Sequence, residues 1–239
     1  MSPLPDLVRI VAIGDSTTQS TCWRALLWRE LEQDFPGRTE FVGSHASDSN
    51  CMVAGSDQDN EAYGSALVTD VVAGVTNRTT CNPACPTLDD LSQRFVATPA
   101  DVAFLHFATN DVWNGIAPGD PNNPAPGTIL AAYGAIVEAL RDSNPDIRIL
   151  AAQLIPLNPV NTASCSTCAC PACGGRVTAL NTAITAWSAR MSTAASPISV
   201  VDQWSGFDSA TDTGDGVHPN ASGSQKMAER WYAALAPLL

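Results

Sequence analysis

The stretch Leu7-Val8-Arg9-Ile10-Val11-Ala12-Ile13-Gly14-Asp15-Ser16 sets the architecture of this chain. Its first part is a mostly apolar, β-branched run, which is typical of a strand buried on both faces. From Cys22 to Leu31 the apolar residues recur at helical spacing instead. Ser16 therefore lies between the carboxyl end of a buried strand and the helix that follows, which is where open α/β sheets bind their ligands.

The same alternation continues along the chain. Strands are predicted near residues 7–13, 39–43, 101–108, 147–153 and 198–202, and helices near residues 22–34, 65–74, 87–97, 127–142, 175–191 and 222–235. This order indicates an α/β fold, a three-layer α/β/α sandwich of the flavodoxin-like type with five parallel strands. With 239 residues and no linker or low-complexity tract, the chain is predicted to form one domain over residues 1–239.

The composition excludes several classes of protein. The formal charge is -12 at pH 7 and Lys226 is the only lysine, so no surface suited to nucleic acid or an anionic membrane is expected. No apolar run approaches the roughly 18 residues of a membrane span, and the start of the chain lacks the pattern of a signal peptide. We expect a soluble chain from which any secretion signal has been removed. No glycine-rich phosphate loop follows a strand, so no cofactor is expected.

The cysteines indicate the compartment. There are eight, an even number: Cys22, Cys51, Cys81, Cys85, Cys165, Cys168, Cys170 and Cys173. Asn77-Arg78-Thr79 is in addition a glycosylation acceptor sequence, whereas Asn220 is expected to cap the last helix instead. We therefore favour a secreted protein with disulfides.

The alternative for the last four cysteines is a zinc site, although structural zinc sites usually separate their two cysteine pairs by about a dozen or more residues. As a hypothesis, Cys22 pairs with Cys51 and Cys81 pairs with Cys85, and the remaining four pair locally.

Two further motifs supply chemistry. Thr109-Asn110-Asp111 directly follows the strand predicted at 101–108, so it shares the rim with Ser16. Asp215 precedes His218 by three residues on a turn, a spacing that lets its carboxylate accept from one ring nitrogen while the other faces Ser16. A serine hydroxyl is a poor nucleophile unless a base removes its proton, and an imidazole suits that task. The three motifs together contain the groups that acyl transfer needs.

Other polar residues have structural interpretations. His106 lies in an apolar strand and is expected to be a hydrogen-bonded core residue, and His45 lies in a polar loop. Asp15 and Asp111 are expected to hold their loops through hydrogen bonds to backbone N–H groups. The acidic segment 57–61 is interpreted as a solvated loop, with bound calcium as the alternative.

These motifs resemble the SGNH or GDSL hydrolases, most closely the acetyl-ester-cleaving members of carbohydrate esterase family 3. The resemblance spans nearly the whole chain, in the family's order. It rests on Ile13-Gly14-Asp15-Ser16-Thr17-Thr18, Cys22-Trp23-Arg24, Phe41-Val42-Gly43-Ser44, Asn60-Glu61-Ala62-Tyr63, Ala108-Thr109-Asn110-Asp111 and Asp215-Gly216-Val217-His218-Pro219-Asn220. The resemblance implies Ser16 as the nucleophile, His218 as the general base and Asp215 as the residue that orients His218.

The resemblance also implies an oxyanion hole, which consists of the Ser16 backbone N–H, a backbone N–H from a second loop and the Asn110 side chain. Ser65 stands where relatives usually carry glycine, so Gly64 and Ser65 are both candidates for the second N–H. Ala108 stands where the family's third motif usually begins with glycine, which adds a methyl group close to the substrate pocket. No metal is expected in the site.

The function implied by the resemblance is that of a secreted, monomeric serine esterase. Its substrate would be an acetylated polysaccharide or oligosaccharide of the plant cell wall, such as acetylated xylan, with an acyl-enzyme on Ser16. A short-chain lipid esterase, an aryl esterase and an acyltransferase of the same fold are alternatives, because a fold does not determine a substrate. An alternative from another class is a weakly active carbohydrate-binding relative.

Overall fold

The structure is a computed structural model that describes residues 3–47, 51–75, 81, 83–113, 124–160 and 168–239. Its strands are β1 (Val8–Gly14), β2 (Thr39–Val42), β3 (His45–Ala46), β4 (Asp59–Ala62), β5 (Val102–His106), β6 (Arg148–Ala152) and β7 (Ile198–Val201). Its helices are α1 (Ser16–Gln19), α2 (Trp23–Asp34), α3 (Val68–Ala73), α4 (Leu88–Ala97), α5 (Thr109–Trp113), α6 (Pro126–Ser143), α7 (Cys173–Met191), α8 (Ser209–Asp212) and α9 (Ala221–Leu235). A short 3₁₀ helix at Ala236–Leu238 follows α9.

The sheet is centred on β1 and is mostly parallel, which confirms the α/β prediction. β1 pairs with β5, β5 with β6 and β6 with β7, all in parallel. On its other side β1 pairs with β2 along its first half and with β4 along its second half. The sheet therefore has seven strands, six of them in the order β3-β4-β1-β5-β6-β7, and β2 shares with β4 the position beside β1.

The predicted count of five strands is wrong because β3 and β4 add to it. β4 has the sequence Asp-Asn-Glu-Ala, and β3 runs antiparallel to it. Polar residues do not give the apolar pattern of a buried strand, so the sequence predicted a solvated loop there. In the structure Asn60 and Glu61 are nevertheless buried, and their polar groups are satisfied by hydrogen bonds.

Helices cover both faces of the sheet. α2 packs against α9 on one side, while α6 packs against α3, α4 and α7 on the other. Trp23 at the start of α2 and Trp231 in α9 lie 5.5 Å apart between ring centroids, and Trp231 stacks on Phe104 of β5 at 4.5 Å. Because α2 follows the Ser16 loop and α9 follows the His218 loop, this aromatic cluster fixes both loops relative to the same strand.

Three disulfides are described, and two of them confirm the predicted pairs Cys22–Cys51 and Cys81–Cys85. The third joins Cys170 to Cys173, and Cys168 is also disulfide-bonded. These bonds leave no thiolates at those positions for zinc, so the zinc alternative is wrong. Cys165 and the Asn77 acceptor lie outside the described residues. No helix within the described ranges is long and apolar enough to cross a membrane.

Candidate active site

Ser16, His218 and Asp215 come together at the carboxyl edge of the sheet. The Oγ of Ser16, which is the first residue of α1, lies 2.8 Å from Nε2 of His218. The other ring nitrogen of His218, Nδ1, lies 2.7 Å from Oδ2 of Asp215. The hydroxyl, the imidazole and the carboxylate thus form a continuous hydrogen-bonded chain between segments that are 202 residues apart.

The turn before α9 orients the Asp215 carboxylate. Oδ1 of Asp215 accepts from the backbone N–H groups of Val217 (2.9 Å) and His218 (2.7 Å), which leaves Oδ2 for the His218 ring. Burial acts to raise the pKa of Asp215, but these hydrogen bonds outweigh it and hold the pKa below its ordinary value. Gly216 has a φ of +84°, and a Cβ there would lie 2.1 Å from the Asn158 carbonyl oxygen, so the turn requires glycine.

The charge on Asp215 determines the tautomer of His218. A carboxylate can only accept hydrogen bonds, so Nδ1 of His218 must carry its proton towards Asp215. In the neutral ring Nε2 is then an acceptor for the Ser16 hydroxyl proton. This is the arrangement that a general base requires.

Asp15 joins the Ser16 loop to the loop after β5. Its side chain is fully buried and accepts from Thr17 N (3.1 Å), Thr17 Oγ1 (2.9 Å) and Thr109 N (2.9 Å). Since the Thr17 hydroxyl donates to Asp15, it must accept from Nδ1 of His106 at 3.1 Å. His106 is buried and hydrogen-bonded, as predicted, and burial lowers its pKa.

Asp111 joins the loop after β5 to the start of α3. It accepts from Val68 N (2.9 Å), Thr69 N (3.1 Å) and Thr69 Oγ1 (2.7 Å). Burial raises the pKa of Asp111 to about 6, the hydrogen bonds from Thr69 and Val68 act in the opposite direction, and the charge of Asp15 adds to the rise. Both aspartates thus hold loops through backbone N–H groups, the arrangement that their positions in the motifs predicted.

The raised pKa of Asp111 predicts a pH dependence of stability. The folded state binds a proton at about pH 6 and the unfolded state only near pH 3.8, so stabilisation is present below pH 4 and is lost as the pH rises through 6. Between pH 4 and pH 7 the free energy of unfolding of the wild type is expected to fall by about 2 kcal/mol relative to that of Asp111→Asn. Urea unfolding of both proteins at several pH values measures this difference, and parallel profiles would contradict it.

The candidate oxyanion donors lie around these loops. Asn110 is buried, and its Nδ2 donates to the Ala66 carbonyl at 2.9 Å, which among the described residues leaves its second amide hydrogen for a ligand. The Gly64 N–H donates to Oε1 of Gln19 at 2.9 Å. Ser65 and Ala108 have φ values of +64° and +81°. Both residues that replace a glycine of the family therefore have a left-handed backbone conformation, which costs roughly 1–2 kcal/mol of conformational free energy at each position.

Sequence reasoning missed Trp113, which is the last residue of α5. Its ring centroid lies 6.4 Å from that of His218, nearly perpendicular to it. Its indole N–H donates to the Cys168 carbonyl at 2.8 Å, so the cysteine-rich segment holds this ring beside the site. No local sequence pattern predicts the bond between Trp113 and Cys168, because the two residues are 55 positions apart.

The acidic segment 57–61 is held by a buried arginine. Arg24 donates to four backbone carbonyls, those of Thr18, Gln19, Ser47 and Gln58. Burial lowers its pKa to about 10, while Asp57 and Asp59 act to raise it. Arg24 thus holds the backbone of the acidic segment for which calcium was the alternative. Within the described residues, no group of three or more acidic, histidine or cysteine side chains could hold a metal ion. His45 contacts the Ala62 carbonyl through its ring nitrogen at 2.7 Å.

The chain is similar to known proteins in sequence and in fold. Residues 12–226 match the model of the GDSL-like Lipase/Acylhydrolase family. A carbohydrate esterase family 3 structure from Talaromyces cellulolyticus is 26% identical, with a TM-score of 0.76 over 97% of this chain and 98% of that chain. An acetyl esterase mutant with an acetate ion is also 26% identical, with a TM-score of 0.75 over the same shares. A Clostridium thermocellum family 3 carbohydrate esterase shares the fold at 18% identity, with a TM-score of 0.66 over 97% of both chains.

No curated protein sequence is a significant match. The family model nevertheless covers most of the chain, including the Ser16 loop, the Asn110 loop and the His218 turn. The chain therefore belongs to the GDSL-like lipase/acylhydrolase family and is a carboxylic ester hydrolase.

Proposed function

We propose that this chain is a secreted serine esterase that removes acetyl groups from plant cell-wall polysaccharide, with acetylated xylan as its substrate. It acts as a monomer of one domain and passes through an acyl-enzyme on Ser16. The observation that carries the proposal is the hydrogen-bonded chain from Ser16 Oγ through His218 to Asp215.

In the acylation step, Nε2 of His218 takes the hydroxyl proton as Ser16 Oγ attacks the acetyl carbonyl carbon. Asp215 stabilises the imidazolium that forms. The carbonyl oxygen becomes an oxyanion, which the Ser16 N–H, the free amide hydrogen of Asn110 and one N–H of the Gly64–Ser65 pair stabilise. When the tetrahedral intermediate collapses, the bond between the carbonyl carbon and the sugar oxygen breaks, and His218 gives its proton to that oxygen, which leaves as a hydroxyl group.

Water then releases the acetyl group from Ser16. His218 removes a proton from this water as the water attacks the acyl-enzyme, and it returns the proton to Ser16 Oγ as acetate leaves. The same donors stabilise the second oxyanion, so one site serves both halves of the reaction.

Three observations favour an acetylated, neutral polysaccharide as substrate. The structures at 26% identity are a carbohydrate esterase and an acetyl esterase. The net charge of -12 disfavours adsorption to anionic lipid but does not repel an uncharged polymer such as xylan. The disulfides fit an extracellular protein.

A substrate panel tests this proposal. Acetylated xylan, acetylated xylose and the 4-nitrophenyl esters of acetate, butyrate and octanoate are assayed with the wild type and with Ser16→Ala. We expect acetate release from xylan, kcat/KM that falls as the acyl chain lengthens, and no release by Ser16→Ala. Preference for octanoate would indicate a lipid esterase. Transfer of the acetyl group to an added alcohol would indicate an acyltransferase, and inactivity of the wild type on every ester would indicate a binding relative.

A further inference from the structure

The segment Tyr63–Ala66 forms a β-turn whose central residues are the two candidates for the second oxyanion donor. The Ala66 N–H closes the turn on the Tyr63 carbonyl at 3.1 Å. Ser65, but not Gly64, has a positive φ, the pattern of a type II turn. In such a turn the N–H between the two central residues is not used by the closing bond, so the turn itself leaves the Ser65 N–H free.

The other N–H groups of the turn already have acceptors, which leaves the Ser65 N–H. The Tyr63 N–H donates to the Gly14 carbonyl at 2.9 Å, and the Gly64 N–H donates to Oε1 of Gln19 at 2.9 Å. The Ala66 N–H is used in the closing bond. Among the described residues the Ser65 N–H has no acceptor. Within the part of the chain that the structure describes, it is therefore the one N–H of this turn that no acceptor uses.

We propose that Gln19 is a positioning residue of the esterase reaction. Its side chain accepts a hydrogen bond from the Gly64 N–H and so holds the turn with the Ser65 N–H facing the oxyanion. This inference rests on the proposed function. Gln19 ends the short helix that begins with Ser16, so one helix carries both the nucleophile and the acceptor that holds the turn. The Gln19 carbonyl, which is separate from the side-chain acceptor, accepts from Ser47 Oγ at 2.9 Å and from Arg24.

The need for such a residue follows from the serine at position 65. A non-glycine residue disfavours the positive φ of a type II turn and favours the type I turn, in which the central peptide is reversed. That reversal would turn the Ser65 N–H away from the oxyanion. The Gln19–Gly64 bond on one side and the Asn110–Ala66 bond on the other oppose it.

The first test is Gln19→Met, which keeps the size of the side chain but removes the acceptor. With 4-nitrophenyl acetate we expect kcat to fall about tenfold or more and KM to change less than about twofold, since an oxyanion donor acts only in the transition state. The double variant Gln19→Met/Ser65→Gly is expected to recover much of the lost kcat, because glycine tolerates the positive φ.

The matched control is Ser47→Ala. It removes a hydrogen bond to the Gln19 backbone but leaves the bond between Gln19 and Gly64 in place. Its kcat is expected to remain near that of the wild type. A Gln19→Met kcat within about twofold of the wild type would overturn the proposal, as would an equal loss in Ser47→Ala.

A second measurement uses the wild type and does not depend on whether a variant folds. The backbone amides are followed by NMR in the free enzyme and in a methylphosphonate adduct of Ser16. We expect the Gly64 amide to be protected from exchange in both states, and the Ser65 amide to shift and gain protection in the adduct. A shift at Gly64 instead of Ser65 would overturn the proposal. Because these tests use a small ester and an adduct, inactivity on xylan would affect only the proposed substrate.

Discussion

Replacing His218 with alanine is expected to lower kcat for 4-nitrophenyl acetate by about 10⁵-fold, because His218 is the one base among the described residues that is hydrogen-bonded to the Ser16 hydroxyl. The His218 side chain is 35% exposed, so its loss leaves the core intact. Steady-state kinetics measure the loss, and thermal unfolding checks that the variant is folded. A variant that is folded and keeps more than about 1% of the wild-type kcat would contradict the role of His218 as the general base.

Asp215→Asn separates orientation of the ring from proton transfer. The side-chain oxygen of the introduced Asn must accept from the backbone N–H groups of Val217 and His218, so the NH₂ group of this Asn faces Nδ1 of the His218 ring. This geometry favours the tautomer with the proton on Nε2, which cannot accept from Ser16. We expect a loss of about 10⁴-fold in kcat. A loss below about tenfold would show that Asp215 does not determine the tautomer.

Much of the architecture could be predicted from the sequence, because the central strands are buried on both faces. β1, β5 and β6 have mostly apolar runs and α9 has helical periodicity, and all four were predicted within about three residues of their bounds. The side chain of Asn220 caps α9 by accepting from the Gly223 N–H at 3.2 Å, as its position at the end of the loop predicted.

Elements that depend on buried polar groups could not be predicted in the same way. β4 is stabilised by hydrogen bonds of Asn60 and Glu61, and α1 and α5 are too short to show a helical period. The sequence offered Gly64 and Ser65 equally as oxyanion donors. The contact that distinguishes them joins Gln19 to a residue 45 positions away, so no local pattern contains it.

Asp15→Ala is expected to have the largest effect on stability among the site residues. Asp15 is fully buried and satisfies three donors, Thr17 N, Thr17 Oγ1 and Thr109 N, in surroundings where Thr17 and Thr109 are at most 1% exposed. Water cannot replace the lost acceptor without opening the loops. Because each buried unsatisfied donor costs about 1–3 kcal/mol, we expect the free energy of unfolding to fall by about 3–5 kcal/mol.

Asp208→Ala is the matched control for this variant. Asp208 is also an aspartate N-cap and accepts from the Ala210 N–H at 2.9 Å, but it is exposed. Its loss is expected to cost about 1 kcal/mol, since water can satisfy the freed N–H. Urea unfolding of both variants measures the difference. We expect a much larger loss of unfolding free energy in Asp15→Ala than in Asp208→Ala, together with a fall in kcat, because the bond from Asp15 to Thr109 holds the nucleophile and Asn110 in one geometry. Equal losses in the two variants would mean that Asp15 acts only as a helix cap.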